Sequence, residues 1–166
     1  MQTKCLAVDQ DWRILDEGAD MANLKVKSAP PSPPSSRRHT VRPSQRLASA
    51  LRNAWGPETS FDPAGWSTGN PAWGQCAVTA LVVQDHCGGS ILSGEVNGIP
   101  HYWNRLATNE ELDLTLGQFG RSAHHSKVQA CDRVFILSYP DTVRRYQQLQ
   151  QRVSSRLATR ATKAAF

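Results

Sequence analysis

The sequence predicts an α+β fold in which one buried helix packs on a small antiparallel sheet, with a further helix at each end of the domain. Three observations support this class. Residues 76–83 are apolar apart from Thr79, which is typical of a helix enclosed on all sides. Asn97-Gly98, a strong hairpin signal, separates the short segments 90–96 and 99–106. Apolar positions after Pro140 recur at helical spacing.

The chain of 166 residues divides into three predicted regions. Residues 1–45 are predicted to be a disordered leader and linker, because residues 28–46 hold five prolines, four arginines and no acidic residue. Residues 46–158 are predicted to form a single α+β domain, followed by a flexible basic tail at 159–166. Residues 1–27 lack a basic start followed by a long apolar run, so we expect no signal peptide, no membrane span and a cytoplasmic location.

Positive charge is concentrated at the ends of the chain. The formal net charge is +5, yet residues 46–142 hold six Lys/Arg against nine Asp/Glu, whereas residues 143–166 hold six Lys/Arg and no acidic residue. Such a basic helix either presents a solvated face or attracts an acidic partner without specificity. The sequence has no nucleic-acid motif, Gly-rich phosphate loop, dinucleotide fingerprint or metalloprotease motif. We therefore predict no cofactor, no membrane partner and no specific nucleic-acid partner.

The domain is predicted to begin with a helix and a loop. Leu47, Ala50, Leu51 and Ala54 have helical spacing, and Gly56-Pro57 ends the run. The turn-forming residues of segment 58–71 favour a loop that leads to the buried helix, which Gly88-Gly89 ends.

Three segments after the buried helix predict an antiparallel meander. They are residues 90–96, 99–106 and 112–116, and a second turn at 107–111 joins the last two. Residues 133–139, RVFILSY, are predicted to add a fourth strand. The C-terminal amphipathic helix is predicted from the spacing of Val143, Tyr146, Leu149, Val153 and Leu157.

Cys76 lies at or near the start of the buried helix, and two starts are compatible with the sequence. With Gly74 as the cap, Cys76 lies in the first turn, where the positive end of the helix favours a thiolate and an unpaired N–H can hold an oxyanion. With Asn70-Pro71 as the cap and first residue, Cys76 lies in the second turn, beyond most of that effect. Cys76 is also compatible with an inert core position.

His101 and Asp113 fall on the two predicted strands after the hairpin turn. Neighbouring strands lie about 4.8 Å apart, so facing side chains can hydrogen-bond, and Cys, His and Asp together suit thiol nucleophilic catalysis. Strand alternation limits this prediction: with Leu112 and Leu114 in the core, Asp113 faces away from it, and an inward His101 would lie on the wrong face. A bulge or the end of the sheet could bring the two together.

The other cysteines, histidines and tryptophans have structural interpretations beside functional ones. Cys5, Cys76, Cys87 and Cys131 show no CxxC spacing and are predicted to be free thiols. The spacing of the remaining sulfur and imidazole donors is unlike any compact zinc module, so no metal site is predicted. That donor set is His86, Cys87, His124, His125 and Cys131, of which His124 and His125 are expected to face solvent.

Candidate substrate contacts are Trp73, Trp103 and an exposed Asn104, although such tryptophans more often pack in cores and rims.

Four stretches resemble the bacterial YunG-like family of uncharacterised proteins over about residues 46–150. They are GQCAVTALVVQD, the following GG, EVNG…HYWNRL and ELDLT…QF. At a more distant level, a cysteine at a helix start followed by His and Asp on successive strands resembles the papain-like and transglutaminase-like thiol hydrolases. That resemblance implies a papain-like core, Cys76 as nucleophile, His101 as general base and Asp113 as its orienter. It also implies an oxyanion amide, for which Gln75 and Asn70 are the candidates.

Two functions from different classes follow. The first is a cytosolic thiol hydrolase or acyltransferase acting on an amide, isopeptide or thioester bond through Cys76. The second is a noncatalytic binding or regulatory module on the same fold, which holds a small molecule or peptide in an aromatic cleft around Trp73 and Trp103. A lowered pKa of the Cys76 thiol would favour the first.

Overall fold

The computed structural model describes residues 45–163, with side-chain surroundings given as far as residue 159. Except for Gln45, the predicted leader lies outside the described residues, and so does the end of the predicted tail. Within the described part, the last helix continues to Lys163, into the segment predicted as a tail.

The described chain has the predicted α+β class. Its helices are α1 (Gln45–Ala54), α2 (Cys76–Cys87), α3 (Arg133–Ile136) and α4 (Pro140–Lys163), and its strands are β1 (Ser90–Val96), β2 (Ile99–Arg105), β3 (Glu111–Leu112) and β4 (His125–Cys131). Short 3-10 turns lie at Pro57–Thr59 and Leu116–Phe119. The strands form one antiparallel sheet in the order β3-β2-β1-β4.

Helix α2 is the centre of the core, as its apolar composition predicts. One side of it packs with α1 and α4 in a cluster that contains Leu51, Val78, Val82, Leu149 and Val153. Its other side packs on the sheet in a cluster that contains Ala77, Leu81, Ile91, Tyr102 and Ile136. The one polar side chain of its apolar run, Thr79, accepts a hydrogen bond from Trp55 Nε1 at 3.0 Å. Its buried hydroxyl is therefore satisfied.

The predicted hairpin is confirmed. Asn97 and Gly98 have φ of +55° and +78°, the pair of positive values that a type I′ turn requires. Val96 faces Ile99 across the turn, and Gly94 faces His101 further along the two strands.

The predicted fourth strand is wrong. Residues 133–139 contain helix α3 instead, because the Asp132 carboxylate caps it by accepting a hydrogen bond from the N–H of Val134 at 2.8 Å. The fourth strand is β4, which pairs with β1 and is exposed along most of its length. Its polar residues do not alternate with apolar ones, so the sequence carries little strand signal there.

The prediction of free thiols holds for Cys76 and Cys87. It is wrong for Cys131, which is disulfide-bonded. Both free thiols are buried, so neither is a freely solvated surface group.

Several of the predicted cationic side chains of α4 are paired. Arg144 and Arg145 bind Asp141 at 2.7 and 2.6 Å, and Arg152 binds Glu58 at 3.0 Å. These contacts reduce the charge that α4 offers to an acidic partner. Within residues 45–163, each helix is too short or too polar to cross a membrane.

Candidate functional site

The chain turns sharply just before Cys76. Helix α2 begins at Cys76, so the later of the two predicted starts is correct, although Gln75 and not Gly74 is the capping residue. Gly74 has φ of +68°, and a Cβ there would run into Ser60 Oγ and approach the backbone N of Phe61 to 2.8 Å. The turn needs glycine at this position. Cys76 thus occupies the first turn of a helix whose N-terminus carries positive partial charge.

The imidazole of His101 and the carboxylate of Asp113 form a direct ion pair. His101 Nε2 lies 2.7 Å from Asp113 Oδ2, and the two side chains are 0% and 5% exposed. The other carboxylate oxygen, Oδ1, accepts from the backbone N and the hydroxyl of Thr115 at 2.8 and 3.0 Å. The carboxylate is therefore fixed on both oxygens.

Strand alternation explains how the two side chains meet. Asn104 faces α2, since its Nδ2 donates to the carbonyl of Ala80 at 2.9 Å, and Leu112 is its cross-strand partner. His101 and Asp113 are each an odd number of residues from this pair, so both lie on the opposite face of the sheet. His101 is buried on that face, which removes the conflict that an inward His101 would create.

The Cys76 thiol interacts with the same imidazole. Burial would raise the pKa of Cys76, but the neighbouring His101 outweighs it and lowers that pKa below its usual value. Burial would lower the pKa of His101, but its contacts with Asp113 and Cys76 raise it to about 9. The pKa of the thiol is thus lowered and that of the imidazole raised, and both shifts favour a thiolate beside an imidazolium.

The ring nitrogen that is left for the Cys76 thiol has no hydrogen bond of standard geometry. His101 Nε2 is committed to Asp113, which leaves Nδ1 for Cys76. Among the described residues, Nδ1 has no partner within hydrogen-bond geometry. The charge of the ring still favours the thiolate and lowers the pKa of Cys76.

A second histidine joins the site, and sequence reasoning missed it. His125 was expected to face solvent, but its Nε2 lies 2.8 Å from Asp113 Oδ2 and its side chain is only 20% exposed. Its ring stacks on Trp103 with centroids 4.0 Å apart. The residue is the first of β4, the strand whose polar sequence concealed it.

His101, Asp113 and His125 are also the types of residue that bind transition metals. Two ligands of one tetrahedral zinc stand about 3.3 Å apart when each is at about 2.0 Å from the ion. The observed separations of 2.7 and 2.8 Å are shorter. They are hydrogen-bond distances, so the group fits a hydrogen-bonded relay better than a preformed metal site.

The two predicted oxyanion amides are engaged elsewhere. Gln75 Nε2 donates to the carbonyl of Gly56 at 2.9 Å, and Asn70 Nδ2 donates to the carbonyl of Gln118 at 3.1 Å. Gln118 in turn accepts from the backbone N of Gly74 at 3.1 Å. These amides fix the loop before α2 and lie outside the lining of the hollow beside Cys76.

The predicted substrate contacts also lie outside that hollow. Trp73 is half-buried and donates through Nε1 to Asp62 at 2.9 Å. Trp103 is buried and donates to Glu111 at 2.9 Å. Asn104 was expected to be exposed but is 2% exposed, because its amide satisfies the carbonyl of Ala80.

A hollow of about 300 Å³, including the solvent at its mouth, opens at Cys76. Its walls are mainly apolar and aromatic: Phe61, Gly74, Ala77, Tyr102, Ile136, Tyr139, Thr142 and Arg145. Most of this volume is open to solvent, and the enclosed part has room for about one water molecule. The guanidinium of Arg145 is paired with Asp141 at 2.6 Å. Its positive charge is therefore offset by that carboxylate and does not strongly favour an anionic ligand in the hollow.

Comparison with known proteins gives a family. The family model described as YunG protein matches residues 43–158, which includes every site residue described above. The chain belongs to the YunG family. It is 38% identical over 69 residues to "Uncharacterized protein YunG" of Bacillus subtilis (strain 168), and that alignment covers 42% of this chain and 56% of the relative. No solved structure matches the chain.

Proposed function

We propose that the protein is a cysteine-dependent hydrolase or acyltransferase that acts on an amide, isopeptide or thioester bond. One observation carries this proposal: the His101 imidazole contacts the Asp113 carboxylate at 2.7 Å and also lowers the pKa of Cys76. A thiol nucleophile needs such a base, and the base needs such an orienter. Cysteine at a helix start, followed in the chain by the His and the Asp, also supports a papain-like core.

The reaction follows from the protonation states. The Cys76 thiolate attacks the substrate carbonyl carbon, forming a C–S bond and an oxyanion. As the bond to the leaving nitrogen or sulfur breaks, the His101 imidazolium gives that atom its proton. Neutral His101 then takes a proton from water, or from an acceptor hydroxyl or amine, which attacks the thioester and releases Cys76.

We assign stabilisation of the oxyanion to backbone N–H groups at the start of α2. The first N–H groups of a helix have no carbonyl partner within the helix, and Cys76 and Ala77 supply two of them at the start of α2. Both residues line the hollow. They suit the developing charge better than the Gln75 amide, whose Nε2 is bonded to the Gly56 carbonyl.

The hollow limits the acyl group. Its small size and aromatic walls favour a short, apolar acyl side chain. We also propose a cytoplasmic location, on the basis of the free thiols Cys76 and Cys87.

Alkylation by iodoacetamide tests the proposal. The rate at each cysteine of the full chain would be measured from pH 5 to 10 by peptide mass spectrometry. We expect Cys76 to react at neutral pH at least about tenfold faster than Cys87, because burial raises the pKa of Cys87. A generic ester such as p-nitrophenyl acetate should leave an acetyl group on Cys76, and Cys76→Ser should not be acetylated there.

The pH dependence of alkylation reports on the Cys76 nucleophile, and the pH dependence of turnover reports on His101 as the acid. Alkylation should stay high above pH 9, because the thiolate persists. Turnover should fall as pH rises through about 9, because His101 then loses the proton that the leaving group needs. If Cys76 reacts no faster than Cys87 at neutral pH, the proposal fails and a noncatalytic ligand-binding role for the hollow takes its place.

A further inference from the structure

The three-residue scheme does not use His125. Its Nε2 lies 2.8 Å from Asp113 Oδ2, the same oxygen that His101 Nε2 contacts at 2.7 Å. We propose that His125 is a positioning residue, whose Nε2–H holds Asp113 Oδ2 in place for His101. This inference rests on the proposed function and deepens it by adding a fourth residue to the site.

The bond between His125 and Asp113 ties together opposite edges of the sheet. Asp113 directly follows β3 at one edge, whereas His125 begins β4 at the other, with β2 and β1 between them. Other donors to Asp113 come from Thr115, two residues away, and from His101 on the neighbouring strand. His125 is therefore the donor that makes the position of the carboxylate depend on the far edge of the sheet.

Gly94, on the intervening strand β1, leaves room for the side chains that link the two edges of the sheet. It faces His101 on β1, and a Cβ at position 94 would lie 2.8 Å from the Trp103 ring and 2.5 Å from the carbonyl of Ser126. Because glycine has no side chain, the indole of Trp103 can lie close to the strand. The His125 ring packs flat on that indole, with 9° between the two planes.

Trp103, on which the His125 ring stacks, sets the orientation of that ring. Trp103 is 1% exposed and its Nε1 is bonded to Glu111 Oε2 at 2.9 Å, so the indole has little freedom to move. Stacking leaves the edge of the His125 ring directed at Asp113. The charged groups that face His125 are Asp113 and Glu111, both acidic, and the imidazole of His101 stacks beside it at 5.9 Å.

The hydrogen bond from His125 also helps to keep Asp113 ionised. Burial would raise the pKa of Asp113, but the hydrogen bond and charge of His101, followed by the bond from His125, lower it overall. An ionised Asp113 is what supports the His101 imidazolium. Removal of the His125 donor should therefore loosen the position of the carboxylate and raise its pKa.

Two substitutions separate the donor from the ring. His125→Phe keeps an aromatic ring on Trp103 but removes the N–H, and His125→Gln keeps an N–H but removes the ring. His124→Gln is the matched control, since His124 is its exposed neighbour. Circular dichroism and thermal melts of the full chain would establish that each variant folds.

We expect His125→Phe to slow Cys76 alkylation at neutral pH about tenfold and to move its profile to higher pH. His125→Gln should recover most of the rate, and His124→Gln should match wild type. If both His125 variants only lower the melting temperature and leave the profile in place, His125 merely packs on Trp103 and the inference is wrong.

A second measurement does not depend on Cys76 being reactive. The titration of His101 would be followed by NMR of its ring protons, and its midpoint, about 9 in wild type, should fall in His125→Phe and recover in His125→Gln. An unreactive Cys76 with this pattern would overturn the proposed function and keep the positioning role. A reactive Cys76 with an unchanged His101 midpoint would overturn the positioning role alone.

Discussion

Cys76 and Cys87 are the first and last residues of the same helix, α2. They are 5% and 4% exposed, so both are buried, yet their pKa values move in opposite directions. Burial raises the pKa of Cys87. At Cys76 the same effect is outweighed by His101, and the pKa is lowered. Depth in the core therefore does not decide whether a cysteine is inert; the groups at its end of the helix do.

The surroundings of the two thiols explain the difference. Cys87 lies in the apolar cluster between α1, α2 and α4, at the helix end where the partial charge is negative and opposes a thiolate. Cys76 lies at the positive end and beside a protonated ring that Asp113 holds. Because both cysteines are in one molecule, the alkylation rate of Cys87 serves as an internal reference for that of Cys76.

The largest expected effect comes from His101→Phe, which keeps a ring in the stack but removes both nitrogens. Without the imidazolium, burial should raise the pKa of Cys76 as it does that of Cys87. Alkylation of Cys76 at neutral pH should fall about a hundredfold, to the rate of Cys87.

His101→Gln gives a control that can still donate a hydrogen bond to Asp113. It should lose the reactivity of Cys76 as fully as His101→Phe, because an amide carries no charge. A Cys76 that stays reactive in both variants would show that the helix N-terminus alone activates it.

Asp113→Asn should have the next largest effect. The amide preserves shape but removes the charge that stabilises the His101 imidazolium, so Cys76 alkylation at neutral pH should slow about tenfold while Cys87 is unchanged. The variant should also respond less to acid. The folded pKa of Asp113 is lowered, so its contribution to stability is present above its unfolded pKa of about 3.9 and is lost as pH falls below it.

Urea denaturation at pH 3 and pH 6 would measure that acid response. The free energy of unfolding should fall less between these pH values in Asp113→Asn than in wild type. Equal losses in the two proteins would mean that Asp113 is not held as an anion.

The smallest effect on the two thiols is expected from Asn104→Ala. Loss of the bond from Asn104 to the carbonyl of Ala80 should reduce the free energy of unfolding by about 1 kcal/mol, because a buried hydrogen bond is lost while the carbonyl keeps its bond within α2. The ratio of the Cys76 and Cys87 rates should not change. A large change in that ratio at full stability would instead favour a role for Asn104 in the site.

Local signals account for the parts of the fold that the sequence predicts well. The Asn97-Gly98 turn has its own backbone requirement, and the apolar run of α2 has no place except in the core. Residues 133–139 mislead because their side chains favour a strand, whereas Asp132 starts a helix by a single hydrogen bond. β4 lies at the sheet edge, where exposed polar residues are tolerated and the periodic signal is lost.

The site residues also divide into those that have a local sequence signal and those that have none. Cys76, His101 and Asp113 can be selected by residue type and chain order, but their contact depends on the face of β2 to which His101 points. His125 has no local signal, because its partner lies across two intervening strands. Gln75 and Asn70 donate to backbone carbonyls that only the folded loop presents, so their partners could not be predicted from the sequence.

Gly74 has a consequence for any attempt to evolve or redesign this protein. Its backbone N donates to Gln118 Oε1, its carbonyl accepts from the N–H of Phe61 at 2.8 Å, and φ is +68°. Every other side chain would have to displace the loop at Ser60 and Phe61, and with it the start of α2. A saturation library would therefore find position 74 as intolerant as Cys76, although glycine contributes no reactive atom, and screening on activity alone would mistake a structural residue for a catalytic one.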